Sequence, residues 1–231
     1  MNWISTVQRT KEELHRFGTA DADTVKRALA RAIEYYKDFS FFFNQATYDI
    51  TLTAGTLAYG EESSSGAADG YPSDFYKPLS LTLIAGGYEY PPMDQVDIKE
   101  FRRLQELSTS RGYPCEYTIL DGDILLNPTP SDDFTLRLDY IQDIGTPTAT
   151  YDGSTWSYTV GGTTLLDSYT NAWMTHGQDL IVERAKAIVL GSNFKDLEAA
   201  QASRILENEY MSALLRKNEK GYYPSTPEPW V

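Results

Sequence analysis

His15, His176 and Cys115 are the residues of this chain best suited to nucleophilic or metal chemistry. Neither histidine has a companion at metal-ligand spacing, and His176 falls at an expected helix start, so both read as surface or packing residues. A lone cysteine forms no internal disulfide and fits a reducing compartment. The acidic turns "DGDILL" (121–126) and "PSDD" (130–133) come next. An EF-type calcium loop needs oxygen ligands at alternate positions and a closing glutamate, which both stretches lack, so turn chemistry accounts for them. "GEESSSG" (60–66) lacks the lysine and the following helix of a phosphate-binding loop. Aspartates are plentiful enough for the carboxylate pair of a glycoside hydrolase, yet nothing singles out a pair. The expectation is an absence of catalytic residues, metal and cofactor.

The charge argues in the same direction. The 231 residues carry 33 acidic and 20 basic side chains, a net −13. Residues 1–46 hold seven basic and six acidic residues and residues 167–231 hold seven and nine, whereas residues 47–166 hold six and eighteen. A middle segment so acidic repels nucleic acid, and its aromatic residues lack the basic groove that stacking platforms need. An acidic wall does suit a channel through which DNA slides without sticking. The opening "MNWISTVQRTKEELHR" lacks the basic start and apolar core of a signal peptide. The most apolar helical stretch, "DLIVERAKAIVL", is broken by Glu183, Arg184 and Lys186, so no segment is expected to span a bilayer.

The elements behind these residues follow from hydrophobic period. Residues 1–46 read as two helices: one carries Trp3, Val7 and Leu14 and ends at Gly18; the second is capped by Asp21 or Asp23 and buries Val25, Leu29, Ile33 and Tyr36. Phe39, Phe41, Phe42 and Phe43 close the segment as a core cluster. The period then changes to two. Strands are expected in "ATYDITLTAGTLAYG", "LSLTLIA" and "YEYPP", with a hairpin at Gly86-Gly87. A short helix capped by Asp94 buries Val96, Phe101, Leu104 and Leu107. "YPCEYTIL", "DILLNP" and "FTLRLDYIQ" then read as a three-stranded meander turning at Asp121-Gly122, and a further hairpin turns at Asp152-Gly153. From Leu165 the helical period returns. A short helix is capped by Asp167 or Ser168. A second buries Leu180, Ile181, Ala185, Ile188 and Val189. A long third buries Leu197, Ala200, Ile205, Tyr210 and Leu214 or Leu215, and Gly221 stops it.

The fold class is therefore α+β, a helical bundle from the N- and C-terminal segments with an inserted antiparallel β domain. Its parts are 1–46 for the N-terminal helices, 47–166 for the β-rich insert with one short helix, 167–220 for the C-terminal helices, and 221–231 for an extended arm.

The ordered series "RALARAIEYY" with its aromatic knot, "ATYDITLTAGTLAY", "YPSDF", "GYPCEYTILDGDILLNPTP", "LRLDYIQ" and "LLDSYTNAWMTHGQDLIVERAKAIVL" before a long helix resembles the head-to-tail connector adaptors of short-tailed bacteriophages, the tail accessory factor type. The likeness spans nearly the whole chain. It implies a structural, non-enzymatic subunit of a dodecameric ring between portal protein and tail nozzle, through which DNA passes without specific binding. It also implies residence in the virion neck, assembly in the host cytoplasm, and no membrane partner. "GYYPSTPEPWV" would be the arm docking on the portal, with Tyr222, Tyr223, Pro224, Trp230 and Val231 as partner-binding residues. Proline lowers the ordering cost of such an arm, and its aromatics suit pockets. The alternative is a carbohydrate-binding or glycan-cleaving virion module using Tyr151, Trp156 and Tyr158.

Overall fold

The structure is a computed structural model that describes residues 2–15, 20–61, 70–107, 111–164 and 168–222, with the side chains of Leu107 and of residues 219–222 outside that description. The chain is mixed α and β. In order, its elements are α1 (Trp3–Leu14), α2 (Ala22–Tyr36), β1 (Gln45–Leu52), β2 (Ala58–Tyr59), β3 (Phe75–Ala85), β4 (Tyr88–Pro92), β5 (Asp94–Gln95), α3 (Ile98–Leu107), β6 (Glu116–Leu120), β7 (Asp123–Asn127), β8 (Phe134–Gln142), β9 (Thr148–Tyr151), β10 (Trp156–Val160), β11 (Thr163–Thr164), α4 (Ala172–His176), α5 (Gln178–Val189) and α6 (Leu197–Tyr222). It divides into two compact units, 1–44 together with 143–231, and 45–142.

In the first unit the helices begin where side chains satisfy free backbone amides. Asn2 and Ser5 form a reciprocal capping box on α1, the Ser5 amide donating to Asn2 Oδ1 at 3.0 Å and the Asn2 amide to Ser5 Oγ at 3.1 Å. Asp21 caps α2 by accepting from the Thr24 amide at 2.7 Å. Asn171, and not the expected Ser168, caps α4, its Oδ1 accepting from the Met174 amide at 3.2 Å, and His176 lies in that helix's last turn rather than at a helix start. Gly18 and Asp167 lie outside the described residues.

Helix α5 is the axis of this unit. Leu180, Ile181, Val182, Ala185 and Val189 are all fully buried, and α1, α2 and α6 each pack against it. The face α6 turns inward is Ala200, Ser203, Glu207, Tyr210 and Leu214, spaced alternately three and four residues apart. Leu197 and Ile205, expected inside, are 75% and 57% exposed. The reason is electrostatic. Arg184 of α5 donates to Glu207 at 2.7 Å and the Tyr36 hydroxyl donates to the same carboxylate. Positions 205 and 207 sit about 200° apart around a helix, so burying Ile205 would carry Glu207 out to solvent. Gly221 does not stop α6, which runs to Tyr222. A helical glycine costs only about 1 kcal/mol and does not compel an end.

The β9–β10–β11 sheet belongs with these helices, so the division at 142–143 differs from the boundary read at 166. Tyr158 explains it. This residue of β10 is buried, and its hydroxyl donates to the Asp23 carbonyl on α2 at 3.1 Å.

The second unit holds two four-stranded sheets, β1-β8-β3-β4 and β2-β7-β6-β5. Central strand β8 places Leu136 opposite Ile50 and Leu83, and Leu138 opposite Tyr48 and Leu81, so the alternation seen in the sequence supplies one buried face. The second sheet adds Tyr59, Tyr117, Ile124 and Leu126 to the same core. Both expected two-residue hairpins form. At the β6–β7 turn Asp121 and Gly122 take φ of 53° and 94°, the pair of positive angles such a turn requires.

Three features of this unit differ from those expected from the sequence. Strands β6, β7 and β8 are not a meander: β7 pairs with β6 and β2, whereas β8 crosses to the other sheet. Pro128 and Pro130 lie between them and have no amide hydrogen to continue the ladder. The insert is not wholly antiparallel either, because β5 and β6 run parallel, joined through α3. Finally Asp97 caps α3, accepting from the amides of Lys99 (2.8 Å) and Glu100 (3.0 Å), because Asp94 is engaged in β5.

Leu138 is fully buried on the central strand, so Leu138→Ala is expected to cost the β unit about 2–5 kcal/mol. Ile205→Ala, on the outer face of α6, is expected to change stability by less than about 0.5 kcal/mol. Denaturant titration checks both, and a large loss for Ile205→Ala would contradict the assigned face.

Candidate partner-binding site

The residues expected to bind a partner begin where α6 ends. Tyr223, Pro224, Trp230 and Val231 lie outside the described residues, and of Tyr222 only the backbone, as the last residue of α6, is described. The structure does define the root from which that segment leaves. Asn218 straddles the turn after α2: the Phe42 amide donates to its Oδ1 at 2.5 Å, and its Nδ2 donates to the Ser40 carbonyl at 2.6 Å. Lys217 places its ammonium 5.9 Å from the centre of the Phe42 ring.

That turn is built from the inside out. Asn44 is buried and holds it closed, accepting from the Phe41 amide at 2.7 Å and donating to the Phe39 carbonyl at 2.9 Å. Phe41 is fully buried, stacked on Phe43 at 5.3 Å and edge-on to Trp173 at 5.6 Å. His176 stacks on Phe43 at 5.7 Å, so its role is packing, as expected. Phe39 and Phe42 remain 36% and 39% exposed. The four phenylalanines therefore divide: Phe41 and Phe43 make core, and Phe39 and Phe42 leave apolar surface beside the root of α6. Asn44 and Asn218 were not singled out from the sequence. The signal for Asn44 is a carboxamide directly after an aromatic run, where the chain must turn with its amides satisfied. Asn218 carries no sequence signal, because its partners are 176 and 178 residues away.

The helices behind this root are locked by charge. Lys186 donates to Glu13 and Glu183, each at 2.8 Å, and Arg9 pairs with Glu13 at 2.9 Å and Asp179 at 2.8 Å. The Arg184 guanidinium lies 3.4 Å from the centre of the Tyr35 ring. Burial, then the hydrogen bond to Glu207, pushes the Tyr36 hydroxyl far above its ordinary value, so it stays protonated as a donor.

Among the described residues no three His, Cys, Asp or Glu side chains converge as a metal site. Partial burial, then the charges of Glu116 and Asp94, pushes the Cys115 thiol up, which makes it a poor nucleophile at neutral pH. The trio offered for sugar stacking is split. Tyr151 and Trp156 lie together at 5.0 Å, with Arg27 4.6 Å over the indole, but Tyr158 is buried against α2. An aromatic ladder that the sequence did not show, Tyr90 on Tyr113 on Phe134 at 5.5 and 5.1 Å, lines the β unit, whose edge strand β4 is exposed at all five residues. No helix among the described residues is long and apolar enough to cross a membrane.

A family model described as SU10 adaptor protein matches residues 1–227, and the chain belongs to that family. This agrees with the resemblance to phage head-to-tail adaptors drawn from the sequence, and it marks the chain as a phage structural adaptor. No curated protein matches it.

Two outcomes follow. Asn218→Ala removes both links to the 40–42 turn, so amide exchange in the last turns of α6 is expected to rise about tenfold or more while α5 keeps its protection. Unchanged exchange would show that the root is held by something else. The acid side of the stability curve tests the Glu13 cluster. Burial pushes the Glu13 carboxyl up, but its bonds from Lys186 and Arg9 outweigh this and hold it below its ordinary 4.5. The stabilisation is full above that value and is lost as pH falls through the lower folded value. Between about pH 6 and about pH 3 the Tm of Glu13→Gln is expected to fall less steeply than that of the wild type. Parallel curves would contradict the assignment.

Proposed function

We propose that this chain is a ring-forming subunit of a phage head-to-tail connector, seated between portal protein and tail nozzle in the virion neck, with DNA passing through the ring without specific binding. The helices from the two chain ends form the bundle that packs against neighbouring copies and the portal. The strand-rich segment is the insert that meets the tail, and the residues that follow α6, 223–231 with Tyr222 at their root, are the arm that docks on the portal.

The observation carrying this reading is that the family match runs through residue 227, taking in most of the arm, while the arm's root is fastened by Asn218. A fixed root lowers the ordering cost of a proline-rich segment, and Tyr222, Tyr223, Pro224, Trp230 and Val231 then supply its anchoring contacts. The acidity of the strand-rich unit, sixteen acidic against six basic residues in 45–142, fits a surface past which DNA slides.

A chain truncated after Tyr222 is expected to keep the circular dichroism and Tm of the full protein and to lose co-sedimentation with the portal protein encoded by the same phage. Full-length chain mixed with that portal is expected to give closed rings in negative stain. Persistent monomers with no portal binding would sink the reading, and undiminished binding by the truncated chain would sink the role given to the arm.

A further inference from the structure

Two clusters of opposite charge lack ion-pair partners among the described residues. The first lies in the helical unit, in a groove of about 430 Å³ between α2 and the β9–β10 hairpin, lined among others by Arg27, Arg31, Pro147, Ala149 and Trp156. Arg27 lies over the Trp156 indole and donates to Thr24 Oγ1 at 3.2 Å, so its guanidinium is oriented; it feels the charge of Asp21 but makes no ion pair among the described residues. Arg31 is exposed. The groove's acid, Glu34, is paired with Lys37 at 2.6 Å. Asp21 and Asp23 lie a turn away at the start of α2, where Asp21 is occupied in capping Thr24 and Asp23 meets the Tyr158 hydroxyl.

The second cluster is a tip of the β unit. The β6–β7 turn presents Asp121 and Asp123, and Glu61 bridges to Tyr71, whose hydroxyl donates to the Gly122 carbonyl at 2.6 Å. Burial first, then the charges of Asp123 and Glu61, pushes the Tyr71 hydroxyl up, as expected where acid collects without a cation. The Asp123 carboxylate leans over Gly60, where an added Cβ would stand 2.8 Å from its Oδ1. The turn is therefore pinned, and its charges are held in place.

We propose that the groove at Arg27, Arg31 and Trp156 receives the Glu61, Asp121 and Asp123 tip of a second copy of this chain. The inference rests on the ring reading and names its subunit contact. Because the two surfaces differ, the contact is heterologous, the type that closes rings instead of stopping at a dimer. Trp156 and Pro147 supply apolar area, and the charges select the register and speed encounter. In a chain of net −13 like copies repel on average, so a local pairing of opposite charge is what brings them into order.

The test is a charge exchange at two exposed positions, Arg31→Glu and Glu61→Lys, read by sedimentation velocity with the portal protein present. Each single variant is expected to raise the concentration for half-assembly about fivefold, and the double variant to return it to within about twofold of wild type. Glu61→Lys is the decisive arm. It lowers the net negative charge, so general repulsion alone predicts tighter assembly, and the proposed contact predicts weaker. Tighter or unchanged assembly for Glu61→Lys, or no recovery in the double variant, overturns the proposal while wild-type rings leave the ring reading standing. Wild-type chain that stays monomeric with portal present overturns the ring reading itself.

Discussion

Everything in the helical unit depends on α5 being buried on several sides while carrying charge. A helix packed by α1, α2 and α6 would ordinarily be apolar all round. This one has Glu183 and Lys186 buried on it and Arg184 half-buried. Each such charge must find a partner, since an unpaired one costs several kcal/mol. Lys186 therefore dictates where Glu13 of α1 sits, and Arg184 dictates where Glu207 of α6 sits. Apolar contact alone would let these helices slide or rotate, and the ion pairs admit one arrangement. Once α6 is set in rotation, Asn218 meets the 40–42 turn and the departure point of the following segment is fixed.

The β unit solves a different problem. Its two sheets share one apolar core and send acid outward. On its outer face Arg137 pairs with Asp49 at 3.1 Å and reaches Glu89 at 3.5 Å, so that patch is partly neutralised. The tip near Glu61 has no ion pair among the described residues. Such a body suits a structural adaptor, where the working parts are surfaces and their charge, and the folded core exists to hold them still.

Much of this was legible in the sequence, for reasons that differ by element. The inward residues of α2 were readable because one face is plainly apolar, whereas on α5 the reading found Leu180, Ile181, Ala185 and Val189 and missed Val182, Glu183 and Lys186, which are buried as well. The hairpins at Gly86-Gly87 and Asp121-Gly122 were readable because positive φ leaves few residue choices. What failed was choice between near-equal faces and pairings. Helix α6 offers Ile205 and Leu206 to one side and Ala200, Ser203 and Glu207 to the other, and hydrophobicity favours the wrong side. Only the distant Arg184 and Tyr36 decide it. Strand β8 looks like the sequel of β7 because it follows closely, yet its alternation is satisfied by β1 and β3, from distant parts of the chain. The placement of 148–164 with the helices rests on contacts with α2, Tyr158 on Asp23 and Trp156 beneath Arg27, which local pattern does not announce. The partner-binding residues were drawn from the resemblance and lie mostly outside the described residues, so for them the structure speaks only of the root.

The chain belongs to a family of structural adaptors, and its exposed features include apolar rims, a basic groove and an acidic tip, equipment that suits an assembling subunit. Electron cryo-microscopy of the intact phage neck tests it most directly. The account predicts a closed ring of copies of this chain directly beneath the portal, with density from each α6 continuing onto the portal surface. A neck in which this chain is absent from the portal boundary, or is present without ring symmetry, would contradict it.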